Sequence, residues 1–359
     1  MSLADPDGAQ LLRGDVENRL RAELGHRVVG WSELGTGTNN RLFRLDLADG
    51  PPLLAKFYAR DRWDRLGTEF PVLAFLADRG VAGLPRPYLR SDAFLYGVYS
   101  LEPGERKAPS ELAAKDVLAA AAFAAELHAF GPDDADGALE PANAACFSHS
   151  DHVALIESRL RSFEAFAADP AGYDEVRAVA REIDLPATVR RLVAVATAGL
   201  GPDALVSALP RTSWRLTTYD FGPHNMLIRD DGLTVVDLEG AGWDDPARMV
   251  MGFVSHAGSD GLSPDAIGAF LGAYAEARRL SAAEVARFER VGMLYDVEWA
   301  TVYASVLTPE AIDAKRFGTA DFDLSTHLTT CIARLRDRLA RAERGDGYRF
   351  PATPDGGRS

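Results

Sequence analysis

Three oxygen-bearing side chains stand at intervals that suit one kind of chemistry. Asp220 is followed five positions on by Asn225, and Asp237 closes an apolar run later in the stretch from Thr218 to Pro246. Between the last two lie an apolar run (Met226 to Ile228), the turn residues Arg229-Asp230-Asp231-Gly232, and a second apolar run (Leu233 to Val236). An Asp-Asp-Gly turn between apolar runs predicts a β-hairpin, because glycine tolerates the positive φ that such turns need. The hairpin would carry Asn225 and Asp237 to one end as two oxygen ligands for Mg²⁺, with Asp220 a single loop away. A carboxylate to orient an acceptor hydroxyl, and hard ligands for metal-bound phosphates, are what phosphoryl transfer from a nucleotide requires. Any one of the three alone is an ordinary turn former or strand end. Their register around a hairpin carries the reading.

The elements that position such a set need a chain of some size. The 359 residues suffice for two packed lobes and a sizeable core. Apolar residues at 47% and charged residues at 26% are ordinary for a globular protein. The net charge of −14 argues against a nucleic-acid partner, whose phosphates such a surface repels, and is compatible with a cationic or neutral polyhydroxyl substrate. Cys146 and Cys331 are far apart in sequence and show no metal-ligand spacing, so they are expected as buried apolar fillers in a reducing compartment. The start, M-S-L-A-D-P-D-G, has neither a basic region nor an apolar core, so no signal peptide is expected. No apolar run approaches membrane-spanning length, and a cytoplasmic location with no membrane partner is expected.

The Thr218–Pro246 segment resembles the catalytic and metal-binding loops of the aminoglycoside phosphotransferase and choline kinase-like family, relatives of the protein kinases. Their loop reads H-x-D-x-x-x-x-N, which Asp220 and Asn225 match, while Thr218 replaces the usual histidine, a structural support of the loop. The continuation D-L-E-G-A-G-W-D-D-P is similar to the family's metal-aspartate segment, with Asp245-Pro246 as a helix start. The resemblance implies an α+β, two-lobed protein kinase-like fold. A nucleotide-binding lobe with a small antiparallel sheet would span 1–102, and a helical lobe with the catalytic loop and acceptor site 103–344. A disordered tail would follow over 345–359. It implies ATP or GTP and Mg²⁺ as cofactors, Asp220 as the catalytic residue, and Asn225 and Asp237 as metal ligands.

Along the first lobe, apolar spacing predicts a helix over 10–25, stopped by Gly25. Strands are expected at 28–34, 42–47 and 53–58, separated by turns at Gly35-Thr36-Gly37-Thr38-Asn39-Asn40 and Ala48-Asp49-Gly50-Pro51. The first turn, through Gly35, Gly37 and Thr38, could lay backbone N–H groups over phosphates. Lys56 lies in the third strand, sharing a face with Leu54 and Tyr58 and opposite Ala55 and Phe57. Glu69 begins the following helical stretch, with Pro71 expected in its first turn. The resemblance makes Lys56 the phosphate ligand and Glu69 its partner. It also makes Ser100, Leu101 and Glu102, at the end of a later strand, the hinge whose main chain meets the adenine edge.

Beyond the hinge, helices are expected over 116–130, 152–168, 172–199, 247–258, 264–279, 281–307 and 322–344. His128 reads as a packed core histidine, and His149 and His152 as a helix N-terminus rather than a metal site. Asp296, Glu298, Trp299 and Tyr303, an acidic and aromatic set on one helix, are candidate acceptor contacts, and Glu239, two positions after Asp237, is a candidate for either a second metal or the acceptor. The acceptor, a small-molecule hydroxyl, stays open among aminoglycosides, sugars and amino alcohols.

Two other classes compete. A nucleotide-binding regulatory partner without transfer activity is compatible with Thr218, but has no chemical need for Lys56, Asp220, Asn225 and Asp237 together. A protein kinase proper would need an H-R-D triplet and a long activation segment, and Gly242 to Pro246 follows Asp237 too closely for one.

Overall fold

A computed structural model describes residues 6–36, 40–59, 64–168, 173–309, 311–312, 315, 322–344 and 349–351. The chain divides into two compact units, one of residues 1–104 with Thr234–Glu239, the other of 105–233 with 240–359. No helix among the described residues is long and apolar enough to cross a membrane.

The first unit is built on an antiparallel sheet. Its strands are β1 (Val28–Thr36), β2 (Asn40–Leu47), β3 (Leu53–Tyr58), β4 (Pro87–Ser91) and β5 (Tyr96–Ser100), in the order β1-β2-β3-β5-β4. Helix α1 (Pro6–Leu24) packs Leu12, Val16 and Leu20 against Phe43, Leu45, Leu53, Ala55 and Phe57. Gly25 ends it at φ +74°, a left-handed conformation that costs glycine little. Leu53, Ala55 and Phe57 thus spend one face of β3 on this core, and strand alternation turns Lys56 to the other. Helix α2 (Arg65–Asp78) starts ahead of the expected Glu69 because the Asp64 carboxylate caps it, accepting from the Gly67 N–H at 2.9 Å. Glu69 therefore lies inside the helix, as does Pro71. The Thr234–Glu239 segment is fastened to this unit by the Val235 N–H on the Gly83 carbonyl (2.9 Å) and the Leu238 N–H on Glu69 Oε1 (3.0 Å).

The second unit is mainly helical: α3 (Ala114–Leu127), α4 (His149–Ala168), α5 (Asp174–Glu182), α6 (Leu185–Ala196), α7 (Pro202–Val206), then α8 (Pro246–Ser255), α9 (Pro264–Arg278), α10 (Ala282–Ser305) and α11 (Leu324–Arg344). One core joins α4, α6, α10 and α11 through Ile156, Leu160, Leu192, Leu294, Ala304 and Leu335. The single helix expected over 172–199 is broken at Asp184, which sits at φ +40° just before Pro186 in the first turn of α6. A proline there lacks the N–H that would continue the preceding helix. Between the two groups of helices run β6 (Arg215–Thr217), β7 (Met226–Arg229), β8 (Gly232–Val235) and β9 (Gly242–Asp244). β6 pairs with β9, placing Thr217 opposite Gly242. β7 and β8 form the expected hairpin, and the chain passes from one unit to the other within β8. Of the expected tail, Phe350 is buried: its N–H donates to Glu289 (3.1 Å) and its ring meets Phe288 edge-on. Arg349 beside it donates to Glu289 at 3.3 Å, and residues 345–348 and 352–359 lie outside the described residues.

Candidate active site

In the second unit the loop after β6 is anchored by its apolar members. Phe221 is buried, stacked on Phe123 of α3 and tilted against Phe253 of α8, and Pro223 opens a short 3-10 turn through Asn225. Asp220, between these anchors and β6, is held on both oxygens. Its Oδ2 accepts from Asn225 Nδ2 at 3.1 Å, and the same amide donates to the Asp220 carbonyl at 3.0 Å. Its Oδ1 faces Nε2 of His224 at 3.1 Å and Nε2 of His256 at 2.9 Å. Burial pushes this carboxyl up, but the hydrogen bonds from the two imidazoles outweigh it and hold Asp220 well below the usual carboxylate range. The group stays ionised, oriented, and about one-third exposed at 32%. Thr218, by contrast, is buried with a hydroxyl that makes no hydrogen bond among the described residues.

In the first unit, Lys56 Nζ donates to Glu69 Oε2 at 2.7 Å and to Asp237 Oδ1 at 2.5 Å, with Glu239 at 3.7 Å. The Lys56 and Glu69 side chains are 6% and 4% exposed. Burial lowers the ammonium pKa, but Glu69, Asp237 and Glu239 together carry it above its ordinary value. Glu69 also accepts from Tyr58 Oη at 2.5 Å, while its other oxygen holds the Leu238 N–H. One glutamate thus fixes both the lysine and the backbone beside Asp237, which adopts φ +68°. Glu239 is bound by Arg65 and accepts from Asn40 Nδ2 at 2.7 Å. It belongs to this charged cluster.

The other sequence-derived candidates are placed as follows. Gly35 lies in β1 opposite Leu42, next to a register shift, whereas Gly37 and Thr38 lie outside the described residues. The Ser100 N–H is already spent on the Arg86 carbonyl at 2.8 Å, and its hydroxyl donates to Glu102 at 2.5 Å. Leu101 follows as chain whose main-chain groups make no backbone hydrogen bond among the described residues. Glu298 is in the interior, paired with Arg159 (3.0 Å), Arg248 (3.5 Å) and His152 (3.4 Å). Burial raises its pKa, but Arg248 and the other partners hold it below the carboxylate range. Tyr303 is likewise a core side chain. Asp296 is buried, its carboxyl pushed up to about 6 by burial against the pull of Arg341 and Arg338. Trp299 remains near the site, with its ring 4.6 Å from and edge-on to His256. His128 is a core residue, with Nδ1 2.7 Å from the Tyr274 hydroxyl, and α4 begins at His149. Cys146 is buried as expected, but it touches the Arg248 guanidinium at 2.6 Å and so lies in a charged network rather than an apolar one. Sequence reasoning missed His224 and His256. His224 was legible as the residue beside Asn225; His256 closes α8 and carries no motif.

The donor atoms available to a metal differ in kind. Asn225 has committed its amide nitrogen to Asp220, and its carbonyl oxygen, a hard donor, accepts nothing among the described residues. Asp237 has placed Oδ1 on Lys56. Burial and the charge of Asp237 raise the pKa of neighbouring Glu239, an excess of carboxylate that a divalent cation would relieve. Each of these side chains offers an oxygen donor of the kind Mg²⁺ takes. Asp220, His224 and His256 also bring ligand atoms within 4.8 Å of one another. However, His256 Nδ1 accepts the Gly258 N–H at 2.7 Å, so its proton sits on Nε2, the atom a metal would need. That trio is a hydrogen-bonded set.

No curated protein matches the chain in sequence. Among solved structures it is similar to spectinomycin phosphotransferase in complex with ADP and spectinomycin, at 14% identity, with a TM-score of 0.59 over 89% of this chain and 98% of that one. It is similar to a choline/ethanolamine kinase family protein from Mesorhizobium loti at 16% identity, with a TM-score of 0.58 over 93% and 98%. It is also similar to a macrolide 2'-phosphotransferase from Brachybacterium faecium at 19% identity, with a TM-score of 0.57 over 89% and 97%. These likenesses establish the α+β, kinase-like fold. The profile of one family matches residues 30–285, which span β1, Lys56, the Asp220 loop, Asp237 and the start of α10. The chain belongs to the phosphotransferase enzyme family.

Proposed function

We propose that this phosphotransferase moves the γ-phosphoryl group of ATP or GTP onto a hydroxyl of a small molecule of the aminoglycoside, sugar or amino-alcohol type. The observation that carries the proposal is Asp220: ionised, partly exposed, and held on both oxygens by Asn225, His224 and His256. A carboxylate kept so far below its usual range is a poor base and a good orienting group. In the reaction the acceptor oxygen forms a bond to the γ-phosphorus as the bond to the bridging oxygen of the nucleoside diphosphate breaks. The acceptor proton passes to Asp220, late, because the transition state is loose. Lys56, fixed by Glu69, supplies positive charge to the phosphates, and the chain after Gly35 supplies backbone N–H groups. Leu101 presents main chain to the base. Asn225 and Asp237 would hold Mg²⁺, which contributes charge neutralisation of the transferring group. Solved relatives bind spectinomycin with ADP and streptomycin with ATP, which supports this class of donor and acceptor. A cytoplasmic location follows from the same reading, since nucleoside triphosphates are found there and Cys146 and Cys331 are unpaired.

The test is transfer itself. Purified protein is incubated with Mg²⁺ and γ-labelled ATP or GTP against aminoglycosides, sugars, amino alcohols and nucleosides. Label appearing in one acceptor, seen as a mass gain of one phosphoryl group, is the expected result. Nucleotide binding with no transfer to any acceptor or to water would favour the regulatory alternative.

A further inference from the structure

The catalytic loop begins at Thr218, whose buried hydroxyl makes no hydrogen bond among the described residues, so it orients nothing by that route. Orientation of Asp220 comes instead from a residue distant in sequence. His256 ends α8, and its backbone and ring together start the next turn, Ala257–Ser259. The Gly258 N–H can only donate, and it points at His256 Nδ1 from 2.7 Å. The ring proton is therefore on Nε2, which lies 2.9 Å from Asp220 Oδ1. Burial lowers the imidazole pKa, with Asp220 pulling the other way.

Packing leaves the ring little freedom. His224 stacks on it at 4.5 Å with the planes 10° apart, and Trp299 meets it edge-on. A Cβ on Gly258 would lie 2.2 Å from His224 Nδ1 and 2.9 Å from His256 Nδ1, so residue 258 must be glycine for both rings to keep these places. The result is a relay of fixed donors: amide to imidazole, imidazole to carboxylate. With Oδ1 taken by the two imidazoles and Oδ2 shared with Asn225, the lone pair left for an acceptor hydroxyl is on Oδ2.

We infer that His256 is a positioning residue for phosphoryl transfer, its tautomer set by Gly258, turning Oδ2 of Asp220 toward the acceptor. The inference rests on the proposed transfer reaction and adds to it a residue outside the motif. The neighbouring Trp299 ring also ties α10, where acceptor contacts were expected, to the orientation of the catalytic carboxylate.

Two variants and one spectrum test this. His256→Phe keeps a flat ring between His224 and Trp299 without a donor, whereas His256→Gln keeps an N–H near the position of Nε2. The assay is Mg²⁺-dependent hydrolysis of ATP, with water as the acceptor, so that no acceptor need be known. His256→Phe should lower kcat about 10–100-fold, the usual loss when a partner that orients a functional group is removed. KM for ATP should stay within about twofold, and His256→Gln should recover kcat to within about fivefold of wild type. Equal losses in both variants, or no loss in either, would overturn the assignment. Independently, a long-range proton–nitrogen spectrum of ¹⁵N-histidine protein should show His256 protonated on Nε2 alone. A proton on Nδ1 overturns the inference whatever the turnover. Absence of ATP turnover in the wild type strikes the transfer reading, and the spectrum then decides the role of His256.

Discussion

Asp237 adopts a left-handed backbone at φ +68° and sets its Oδ1 2.5 Å from Nζ of Lys56. Aspartate tolerates that conformation better than most residues, yet it still costs on the order of 1 kcal/mol, and the surroundings must impose it. They do so through Glu69, which accepts from Lys56 with one oxygen and from the Leu238 N–H with the other. The lysine and the metal-ligand candidate are thus set by one buried carboxylate.

Asp237→Asn should keep this geometry and remove one charge. The Mg²⁺ concentration for half-maximal nucleotide turnover should rise by about 10-fold or more, since a carboxylate is the stronger ligand for a hard cation. An unchanged Mg²⁺ dependence would remove Asp237 from the metal site.

Lys56→Met should abolish turnover and also destabilise the first unit. The methionine fills the space of the stem but leaves Glu69 and Asp237 without their common cation, and breaking a buried pair from one side costs roughly 3 kcal/mol or more. Urea denaturation followed by tryptophan fluorescence would read the loss. A variant as stable as wild type would mean that the cluster is wetter than its burial implies.

Glu298→Gln separates core from site. Glu298 sits among Arg248, Arg159 and His152, so losing its charge leaves Arg248 with Asp244 (3.0 Å) as its carboxylate partner and should lower stability by roughly 2 kcal/mol. The folded fraction should keep its KM for any acceptor found. A raised acceptor KM at wild-type stability would restore Glu298 as an acceptor contact.

Much of this was legible in sequence because short range suffices. The Asp220–Asn225 interval, the Asp-Asp-Gly hairpin and the alternation that puts Lys56 opposite Ala55 and Phe57 are all local patterns. The pairing of Glu69 with Lys56 came from the family resemblance rather than from a local pattern, and Asp64 as the N-cap was overlooked, so the helix start was misplaced. His256 could not be found this way. A histidine closing an apolar helix reads as any other, and only the fold of α8 and its following turn brings it to Asp220. Glu298 and Tyr303, expected as acceptor contacts, are buried, which sequence could not show for a related reason. An acidic and aromatic helix looks the same in sequence whether it lines a pocket or, as here, faces buried arginines and the helical core.

The buried neutral histidine His128 makes stability depend on pH. Burial lowers its pKa from 6.5 to about 3, so the folded state binds fewer protons than the unfolded chain between those values. Its contribution is complete above pH 6.5 and is lost as pH falls toward 3, with a slope of up to about 1.4 kcal/mol per pH unit. His128→Gln should therefore lose less stability than wild type between pH 7 and pH 5, measured by urea midpoints. Equal losses would mean that His128 is protonated in the fold.

The central claim is that Asp220 orients an acceptor for attack on the nucleotide, and Asp220→Asn addresses it most directly. Asparagine keeps the shape but has a single acceptor oxygen for the imidazoles and the Asn225 amide, and it can neither carry the charge nor take the proton. The measurement is Mg²⁺-dependent turnover of ATP and GTP with the acceptor from the transfer screen, alongside nucleotide binding by calorimetry. The account predicts a kcat lower by about 10²–10⁴-fold with nucleotide affinity little changed. An Asp220→Asn protein that turns over at a near-normal rate would contradict it.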